Sequence, residues 1–395
     1  MNQDVVNIRK SIVRSIKEDA KALKQKGTNI ISLASGEPDF DTPPKIREVA
    51  IENIQKGNTH YAPGKGLLKL RKAIKEKLEK DNHIITSEDN IIVTYGSKMA
   101  VYLAVRTCVT KGDEVIILEP SWVSYAEIVR ASGAIPVGLM LDDSDNYKLT
   151  YEKLKARSSD KTRMLIVCTP NNPTGKILDL SEIKAIERFA NERDIIVLSD
   201  EVYDKIVYSE KKVVSPASVE GLKDRTISVN GFSKTFAMTG WRLGYLAAPS
   251  DLVAIINKLH IHTHTGTCPF IQEAATVAFQ CEEEVEEMRQ QYEKRRNVFL
   301  SKLNQAPHLK VVTPEGAFYA WVRFDIPCMD SMQFAYLLLN KAHVLGIPGR
   351  AYGDQCDNFI RFSFASSLED LEEAADRIIR LMNQYDNEYT NNSSN

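Results

Sequence analysis

The chain has 395 residues, a formal net charge of −2 and 43% hydrophobic residues. This length allows two or three domains and a large buried core. The balanced charge gives no overall field that would draw the chain to nucleic acid or to an anionic membrane. No apolar run reaches the ~18 residues of a membrane span, and the first residues lack the apolar core of a secretory signal. Six scattered cysteines without a C-x-x-C pair favour a reducing, cytoplasmic setting with no zinc site.

Apolar runs alternate with helical patterns through the middle of the chain. The pattern predicts helices from about Lys98 and over Leu180–Glu192. It predicts strands over Asn90–Thr94, Glu114–Leu118, Arg163–Cys168, Ile195–Leu198 and Thr226–Val229. This alternation is typical of an α/β fold whose mainly parallel sheet carries helices on both faces. In such sheets, ligands bind at the carboxyl ends of the strands.

The pattern changes near Glu282, where a long charged helix begins. Strand-like segments follow at Ala317–Phe324 and Phe359–Phe364, so the sequence predicts a second, smaller α+β domain. The first ~45 residues begin with a helix and a strand, and we expect them to pack with that smaller domain. The predicted division is therefore a large domain over residues 46–285 and a small domain over residues 1–45 and 286–395.

Lys234 follows an apolar run and lies among Gly, Ser and Thr, with Arg242 eight residues later. A lysine near an anion-binding arginine suits a carbonyl cofactor that carries a phosphate, which describes pyridoxal 5'-phosphate. Arginine is favoured for bidentate phosphate contacts, and Ser233 would complete the phosphate site. The alternative for Arg242 is a surface salt bridge.

Polar residues after three predicted strands could contact a pyridine ring. Asp200 could hold the ring nitrogen protonated, so that the ring withdraws electrons, or it could cap a helix. Tyr203 would share a face with Asp200 on a helical turn and could donate to the ring oxygen, or it could be a half-buried tyrosine. Asn172, in a stiff Pro- and Gly-rich loop, could donate to the same oxygen, or it could belong to a plain turn.

The segment from Gly96 to Lys98 joins a strand to a helix. Gly96 allows a tight turn, and the amides of Ser97 and Lys98 open a helix N-terminus, which is a ready anion site. An ordinary Ser-capped helix is the alternative. Trp122 could lie against the pyridine ring or pack in the core.

Arg361 lies between apolar residues in the predicted strand Phe359–Phe364. A half-buried arginine needs an anionic partner, which could be a substrate α-carboxylate or an internal carboxylate. His260, His262 and His264 alternate, which could place them on one strand face. We interpret them as solvent or substrate-cleft side chains and expect no metal site.

These segments together resemble the class I/II aminotransferases of fold type I, close to the bacterial aspartate aminotransferase branch. The resemblance covers about Ile30 to Leu381. Its motifs are SLASGEPDFDTP (32–43), THYAPGKG (59–66), YGSKMA (95–100), PNNPTG (170–175), SDEVYD (199–204), SKTFAMTGWRLGY (233–245), PEGAFYAW (314–321) and IRFSFA (360–365). It implies a pyridoxal 5'-phosphate enzyme with a mainly parallel, seven-stranded type of sheet.

The resemblance also implies a role for each matching residue. Lys234 would be the catalytic lysine, and Asp200 and Tyr203 would act beside it. The cofactor would contact Gly96, Ser97, Lys98, Trp122, Asn172, Asp200, Tyr203, Ser233, Lys234 and Arg242, with Tyr61 reaching the phosphate of the neighbouring subunit in a homodimer. The substrate would contact Gly36, Trp122, Asn172 and Arg361.

The implied reaction moves an amino group from an L-amino acid to a 2-oxo acid in ping-pong order, with aspartate and 2-oxoglutarate the favoured pair. Lys98 matches a position that faces a distal carboxylate in the aspartate-specific branch, which favours an acidic substrate. The alternative for Lys98 is a solvated lysine at the start of a helix. Arg14 occupies a stretch that folds over the cleft in relatives, and we expect it to contact the substrate. A departure at Met99, where Gln or His is usual, keeps other substrates open, including aromatic amino acids. A β-lyase on the same fold is a further alternative. A nicotinamide dehydrogenase is disfavoured because no G-x-G-x-x-G follows a strand.

Overall fold

The computed structural model of the protein describes residues 3–208 and 210–393. The strands are β1 (Ile31–Ser32), β2 (Ile91–Thr94), β3 (Glu114–Glu119), β4 (Ile135–Met140), β5 (Thr162–Cys168), β6 (Ile196–Asp200), β7 (Thr226–Gly231), β8 (Gly244–Ala247), β9 (Leu309–Val311), β10 (Tyr319–Phe324), β11 (Val344–Leu345), β12 (Ile347–Pro348) and β13 (Phe359–Ser363). The helices are α1 (Gln3–Val6), α2 (Ile12–Gln25), α3 (Pro44–Gln55), α4 (Leu68–Asn82), α5 (Ser97–Cys108), α6 (Ser124–Ala131), α7 (Tyr151–Arg157), α8 (Leu180–Arg193), α9 (Ser250–His264), α10 (Pro269–Thr276), α11 (Glu282–Leu303), α12 (Ser331–Leu337) and α13 (Leu368–Ser393).

Seven strands form one large sheet in the order β2-β8-β7-β6-β5-β3-β4. Only β8 runs against its neighbours within this sheet, which confirms the predicted mainly parallel, seven-stranded α/β fold. Strands β4 and β8 were not predicted from the sequence. Strand β4 contains a proline and a glycine and lies at the sheet edge, where proline is tolerated. Strand β8 has four residues, too few to show a periodic pattern.

Helices cover both faces of the large sheet because neighbouring strand residues point to opposite sides. Ile117, Ile166 and Leu198 pack with α5 in one apolar cluster. The residues before them, Ile116, Leu165 and Val197, pack with α8 in another. Each side chain is at most 1% exposed, and burying one stabilises the fold by roughly 1.5–3 kcal/mol. These continuous apolar runs explain why the central strands could be read from the sequence.

A smaller antiparallel sheet has the order β12-β13-β10-β9. Helix α11 begins at Glu282, as predicted for the charged helix, and β10 begins at Tyr319, two residues later than predicted. Strand β1 pairs with β11, with Ile31 opposite Val344, so part of the N-terminal segment lies beside the C-terminal part. The domain division stays a prediction, and its residues 1–2, 209 and 394–395 lie outside the described residues.

The expectation that His260, His262 and His264 share a strand face is wrong. All three lie on helix α9, where residues two apart do not share a face. His260 is fully buried and its Nε2 lies 3.0 Å from the carbonyl oxygen of Gly64, so it is neither a solvent nor a cleft side chain. Its ring stacks on that of His264, four residues later. In the described part of the chain, no helix is long and apolar enough to cross a membrane.

Candidate active site

A cavity of about 300 Å³ opens where the loops after β2, β3, β5, β6 and β7 meet, at the carboxyl ends of the parallel strands. This is the edge at which ligands bind in open α/β sheets. Eleven of the predicted site residues line it: Gly36, Ser97, Lys98, Trp122, Asn172, Asp200, Tyr203, Ser233, Lys234, Arg242 and Arg361.

Lys234 lies in the middle of this group of residues. Its Nζ donates to the carbonyl oxygen of Gly36 at 2.5 Å. Burial lowers the pKa of Lys234 to about 8, with Arg242 and Arg361 lowering it further and Glu37 and Asp200 opposing the shift. Near physiological pH, a much larger fraction of this amine than of an ordinary lysine is therefore neutral and nucleophilic.

Asp200 ends strand β6 and is 4% exposed. Burial raises its pKa to about 6, although hydrogen bonds from the Tyr125 hydroxyl and the Val202 amide oppose the shift. The Tyr125 hydroxyl donates to Oδ2 of Asp200 at 2.7 Å. The carboxylate is therefore held in one position and still lines the cavity, where it can pair with a cationic nitrogen.

The anion-binding end of the cavity surrounds Arg242. Gly96 has a φ of +75°, and a Cβ at this residue would lie 2.7 Å from Nη2 of Arg242. Only glycine therefore lets the guanidinium approach the start of helix α5. Ser97 begins that twelve-residue helix, and the side chain of Ser233 also lines the cavity. A guanidinium beside a helix N-terminus is a strong site for a phosphate.

The opposite end of the cavity surrounds Arg361, which is 5% exposed. Its guanidinium donates to Oδ1 of Asn172 at 3.2 Å and to the carbonyl oxygens of Ala34 and Ser35. The rings of Tyr319 and Tyr352 lie 4.2 and 5.3 Å from its central carbon. Its buried Nε has no hydrogen-bond partner within the described chain. Neutral oxygens and rings hold this cation without neutralising it, so it remains available to an anion.

Two further polar groups face the cavity between the two arginines. The side-chain oxygen of Asn172 is engaged by Arg361, which leaves its amide nitrogen as the donor. The hydroxyl of buried Tyr203 lies 2.9 Å from that of Tyr319. Burial raises the pKa of Tyr203 well above its usual value, so it keeps its proton.

Trp122 lines the cavity beside the start of helix α6. Its indole packs edge-on against the ring of Tyr125. The Nζ of Lys98 lies over the indole, 4.8 Å from the ring centroid. Burial lowers the pKa of Lys98, and Arg242 lowers it further, so this ammonium lies toward the Arg242 end.

Comparison with known proteins places this arrangement in a family. The family model "Aminotransferase class I and II" matches residues 28–378. The chain is 42% identical to the aromatic-amino-acid aminotransferase 2 of Thermococcus litoralis, over 90% of this chain and 92% of the relative. It is 41% identical to an aspartate aminotransferase of Pyrococcus abyssi, over 96% and 97% of the two chains. The solved structure of the aspartate aminotransferase from Thermus thermophilus with maleate superposes with a TM-score of 0.90, at 33% identity over 96% and 99% of the chains.

The chain belongs to the class I and II aminotransferase family. The resemblance inferred from its motifs, the fold and the enzyme class are thereby confirmed.

Three predicted site residues do not line the cavity of this aminotransferase: Gly96, Tyr61 and Arg14. Gly96 lies beside the guanidinium of Arg242. Tyr61 is 93% exposed, and its contact with a neighbouring subunit stays a prediction. The expectation that Arg14 faces the cleft is wrong in this structure. Its side chain is 82% exposed and pairs with Glu18 at 2.8 Å.

The geometry of helix α2 explains the position of Arg14. Residues four apart share a helix face. Ile16 and Ala20 are buried in the core, Arg14 and Glu18 pair in solvent, and Val13 and Lys17 line the cavity. The cation that α2 contributes to the cavity is therefore Lys17.

Sequence reasoning missed several residues that shape the cavity: Val13, Lys17, Val123, Tyr125, Cys168, Val202, Tyr319 and Tyr352. Three of them had a usable signal. Tyr125 lies three residues after Trp122, one turn along the same segment. Val202 lies within the motif at 199–204, and Tyr319 within the motif at 314–321. Lys17 and Tyr352 stand outside the matching motifs, and only the fold brings them here. Glycine is not required for space at Gly36, because a Cβ there would lie 3.6 Å from the Tyr319 hydroxyl.

Proposed function

We propose that this aminotransferase uses pyridoxal 5'-phosphate and transfers the amino group of an acidic L-amino acid, with aspartate favoured, to a 2-oxo acid, with 2-oxoglutarate favoured. The observation that carries the proposal is one cavity lined by a lysine with a lowered pKa, a carboxylate with a raised pKa and two arginines. Pairs of titratable groups perturbed in this way are typical of acid–base sites.

The residues fit this cofactor at three places. The approach of Arg242 to helix α5 across Gly96 suits the phosphate. Asp200 suits the pyridine nitrogen, and the amide nitrogen of Asn172 and the hydroxyl of Tyr203 suit the ring oxygen. When bound, pyridoxal 5'-phosphate supplies a carbonyl carbon that reacts with amines and a ring that accepts electrons.

The remaining chemistry is acid–base work by Lys234. Its neutral Nζ can take the α-proton of the amino acid and return that proton to a neighbouring carbon. The carboxylate of Asp200 would hold the pyridine nitrogen of the cofactor protonated, so that the ring accepts electrons more readily. Arg361, with its unpartnered Nε, would orient the substrate α-carboxylate so that its α-proton faces Lys234.

Charge favours a substrate with a second carboxylate. Asp200 is the one carboxylate on the cavity wall formed by the described residues, whereas four basic residues besides Lys234 line the wall: Lys17, Lys98, Arg242 and Arg361. A phosphate and one α-carboxylate leave part of this positive charge uncompensated. The relative from Thermus thermophilus was solved with maleate, a dicarboxylate, which supports an acidic substrate.

An aromatic amino acid is the second candidate. Val13, Val123 and Tyr352 give the cavity an apolar part, and the relative from Thermococcus litoralis is named for aromatic amino acids. A panel of amino donors with 2-oxoglutarate as acceptor would separate the two. We expect aspartate and glutamate to lead, and a preference for phenylalanine or leucine would overturn the acidic assignment. Release of ammonia and pyruvate without an acceptor would indicate a β-lyase.

The role of Lys234 is tested by Lys234→Ala. General acid–base catalysis contributes about 10²- to 10⁴-fold to a rate, so we expect a loss of at least that size in amino transfer. Lys258→Ala, at an exposed position of helix α9, is the matched control and should keep wild-type turnover. Wild-type turnover by Lys234→Ala would overturn the mechanism.

We further propose that the enzyme acts as a cytoplasmic homodimer. The 93% exposure of the Tyr61 side chain is consistent with a contact to a neighbouring subunit. Sedimentation analysis of the wild type tests the assembly, and a monomer with full activity would contradict it.

A further inference from the structure

Lys17 is a cavity cation that the cofactor and the α-carboxylate do not require. It lies one helical turn after Val13 on the face of α2 that lines the cavity. Its side chain is still exposed to solvent, so Lys17 lies at the rim. No hydrogen bond or ion pair engages its ammonium within residues 3–208 and 210–393.

Lys17 interacts electrostatically with Arg361, which lines the same cavity. Burial lowers the pKa of Lys17 first, and the nearby positive charge of Arg361 lowers it next, while Glu37 acts in the opposite direction. Two cations at one end of a cavity repel each other unless an anion lies between or beside them. An α-carboxylate at Arg361 would use one of these cations and leave the other free.

We propose that Lys17 is a specificity residue that binds the side-chain carboxylate of the acidic substrate. This inference rests on the proposed function. A dicarboxylic amino acid whose α-carboxylate pairs with Arg361 carries its second carboxylate only a few bonds away. Helix α2 holds Lys17 on the face that lines the cavity, and its long side chain can turn toward that group.

Lys98 is the competing lysine, and its position differs. Its ammonium lies over the Trp122 indole and is influenced by Arg242, whereas that of Lys17 is influenced by Arg361. The two lysines therefore lie on different helices, α2 and α5, and interact with different arginines. The proposal assigns the selection of acidic over neutral donors to Lys17, so removing its charge must change that selection.

The test compares Lys17→Met with Lys21→Met in the holoenzyme. Lys21 lies one turn further along α2, is exposed and does not line the cavity, so it controls for loss of charge on the helix. For Lys17→Met we expect kcat/KM for aspartate and glutamate to fall about 5- to 100-fold. The lower limit is the loss of a solvent-exposed ion pair, and the upper limit is the loss of a buried hydrogen bond to a charged group. The loss should be mainly in KM, and kcat/KM for phenylalanine should stay unchanged. Lys17→Arg should recover most of the preference for acids.

A binding measurement separates recognition from turnover. Calorimetry on the holoenzyme measures the affinity for two substrate-like acids. Lys17→Met should weaken the binding of succinate, a dicarboxylate, by the same factor as kcat/KM for aspartate. It should leave the binding of butyrate, a monocarboxylate, unchanged. Equal losses for both ligands would mean a structural effect of the substitution and would overturn the assignment.

The outcomes distinguish this inference from the function on which it rests. A wild-type enzyme that shows no preference for acidic donors overturns the substrate proposal, whatever the variant does. A wild-type preference for acids that survives unchanged in Lys17→Met, and is lost instead in Lys98→Met, overturns the role of Lys17 alone.

Discussion

The two arginine ends of the cavity are built differently. Arg242 approaches the first turn of helix α5 across a glycine, so backbone amides and a helix N-terminus create that end. Arg361 extends from the buried strand β13 and is held by two aromatic rings and by neutral oxygens. Its Nε has no hydrogen-bond partner among the described residues. The first end is preformed for a permanent anionic group, whereas the second suits an anion that enters and leaves with each turnover.

Lys234 lies between these ends, and both arginines lower its pKa. In cofactor-free protein, we expect labelling of Lys234 by an amine reagent to rise with a midpoint near pH 8. A lysine of ordinary pKa is only ~0.3% neutral at pH 8, so the neutral fraction of Lys234 should exceed that of a free lysine side chain by about a hundredfold. Peptide-resolved mass spectrometry across pH 6–11, with a short lysine peptide as reference, measures both. A midpoint near that of the reference peptide would contradict the lowered pKa.

Substituting the two arginines should separate the two ends. Arg361→Leu removes a buried charged donor, so we expect kcat/KM for the amino donor to fall about 10- to 100-fold while the cofactor stays bound. Arg242→Leu should weaken cofactor retention by a similar factor. Steady-state kinetics and equilibrium dialysis measure the two effects. If both variants lost cofactor and substrate equally, the two ends would not be independent.

Gly96→Ala is a smaller test confined to the Arg242 end. The methyl group would meet Nη2 of Arg242 at 2.7 Å, and alanine would be strained at a φ of +75°. We expect cofactor dissociation to become about tenfold faster, with KM for the amino donor unchanged at saturating cofactor. Gly112→Ala is the matched control, because Gly112 also has a positive φ but has open space around its Cβ. If both variants lost cofactor equally, backbone strain and not the contact with Arg242 would be the cause.

The contrast between the ends also explains what could be predicted from the sequence. Residues near Arg242 lie in short motifs that follow recognisable strands, so Gly96, Ser97, Ser233 and Lys234 could be named in advance. The Arg361 end combines chain segments more than 300 residues apart, such as Ala34 and Arg361. There the sequence predicted the arginine but not its aromatic neighbours.

Helix α2 shows most clearly what could not be predicted from the sequence. The sequence indicated that a cation from this segment reaches the cavity, but adjacent helix positions differ by about 100° in direction. Choosing the cavity face needs the packing of Ile16 and Ala20 against the core, which turns Arg14 outward. Composition and motif spacing do not contain that orientation.

Tyr125→Phe should have the smallest effect, because it keeps the ring and removes only a hydroxyl that donates to Asp200. Its hydroxyl donates to the charged form of Asp200 at 2.7 Å, and such a bond lowers the pKa of a carboxyl group. A hydrogen bond to a charged group is worth roughly 1.5–3 kcal/mol. Removing it should therefore raise the pKa of Asp200 from about 6 by about one to two pH units in cofactor-free protein, as measured by infrared titration of the carboxyl band.

In the holoenzyme the same substitution should lower kcat only a few-fold, because the positive charge of the bound ring would replace the lost donor in keeping Asp200 ionised. The loss should grow as the pH falls toward the raised pKa, since a protonated carboxyl cannot hold a cationic nitrogen. Tyr102→Phe, on helix α5 and outside the cavity wall, should change neither titration nor rate. An Asp200 pKa that stays near 6 without the Tyr125 hydroxyl would show that burial alone sets it, and the hydroxyl would then only orient the carboxylate between the two arginine ends.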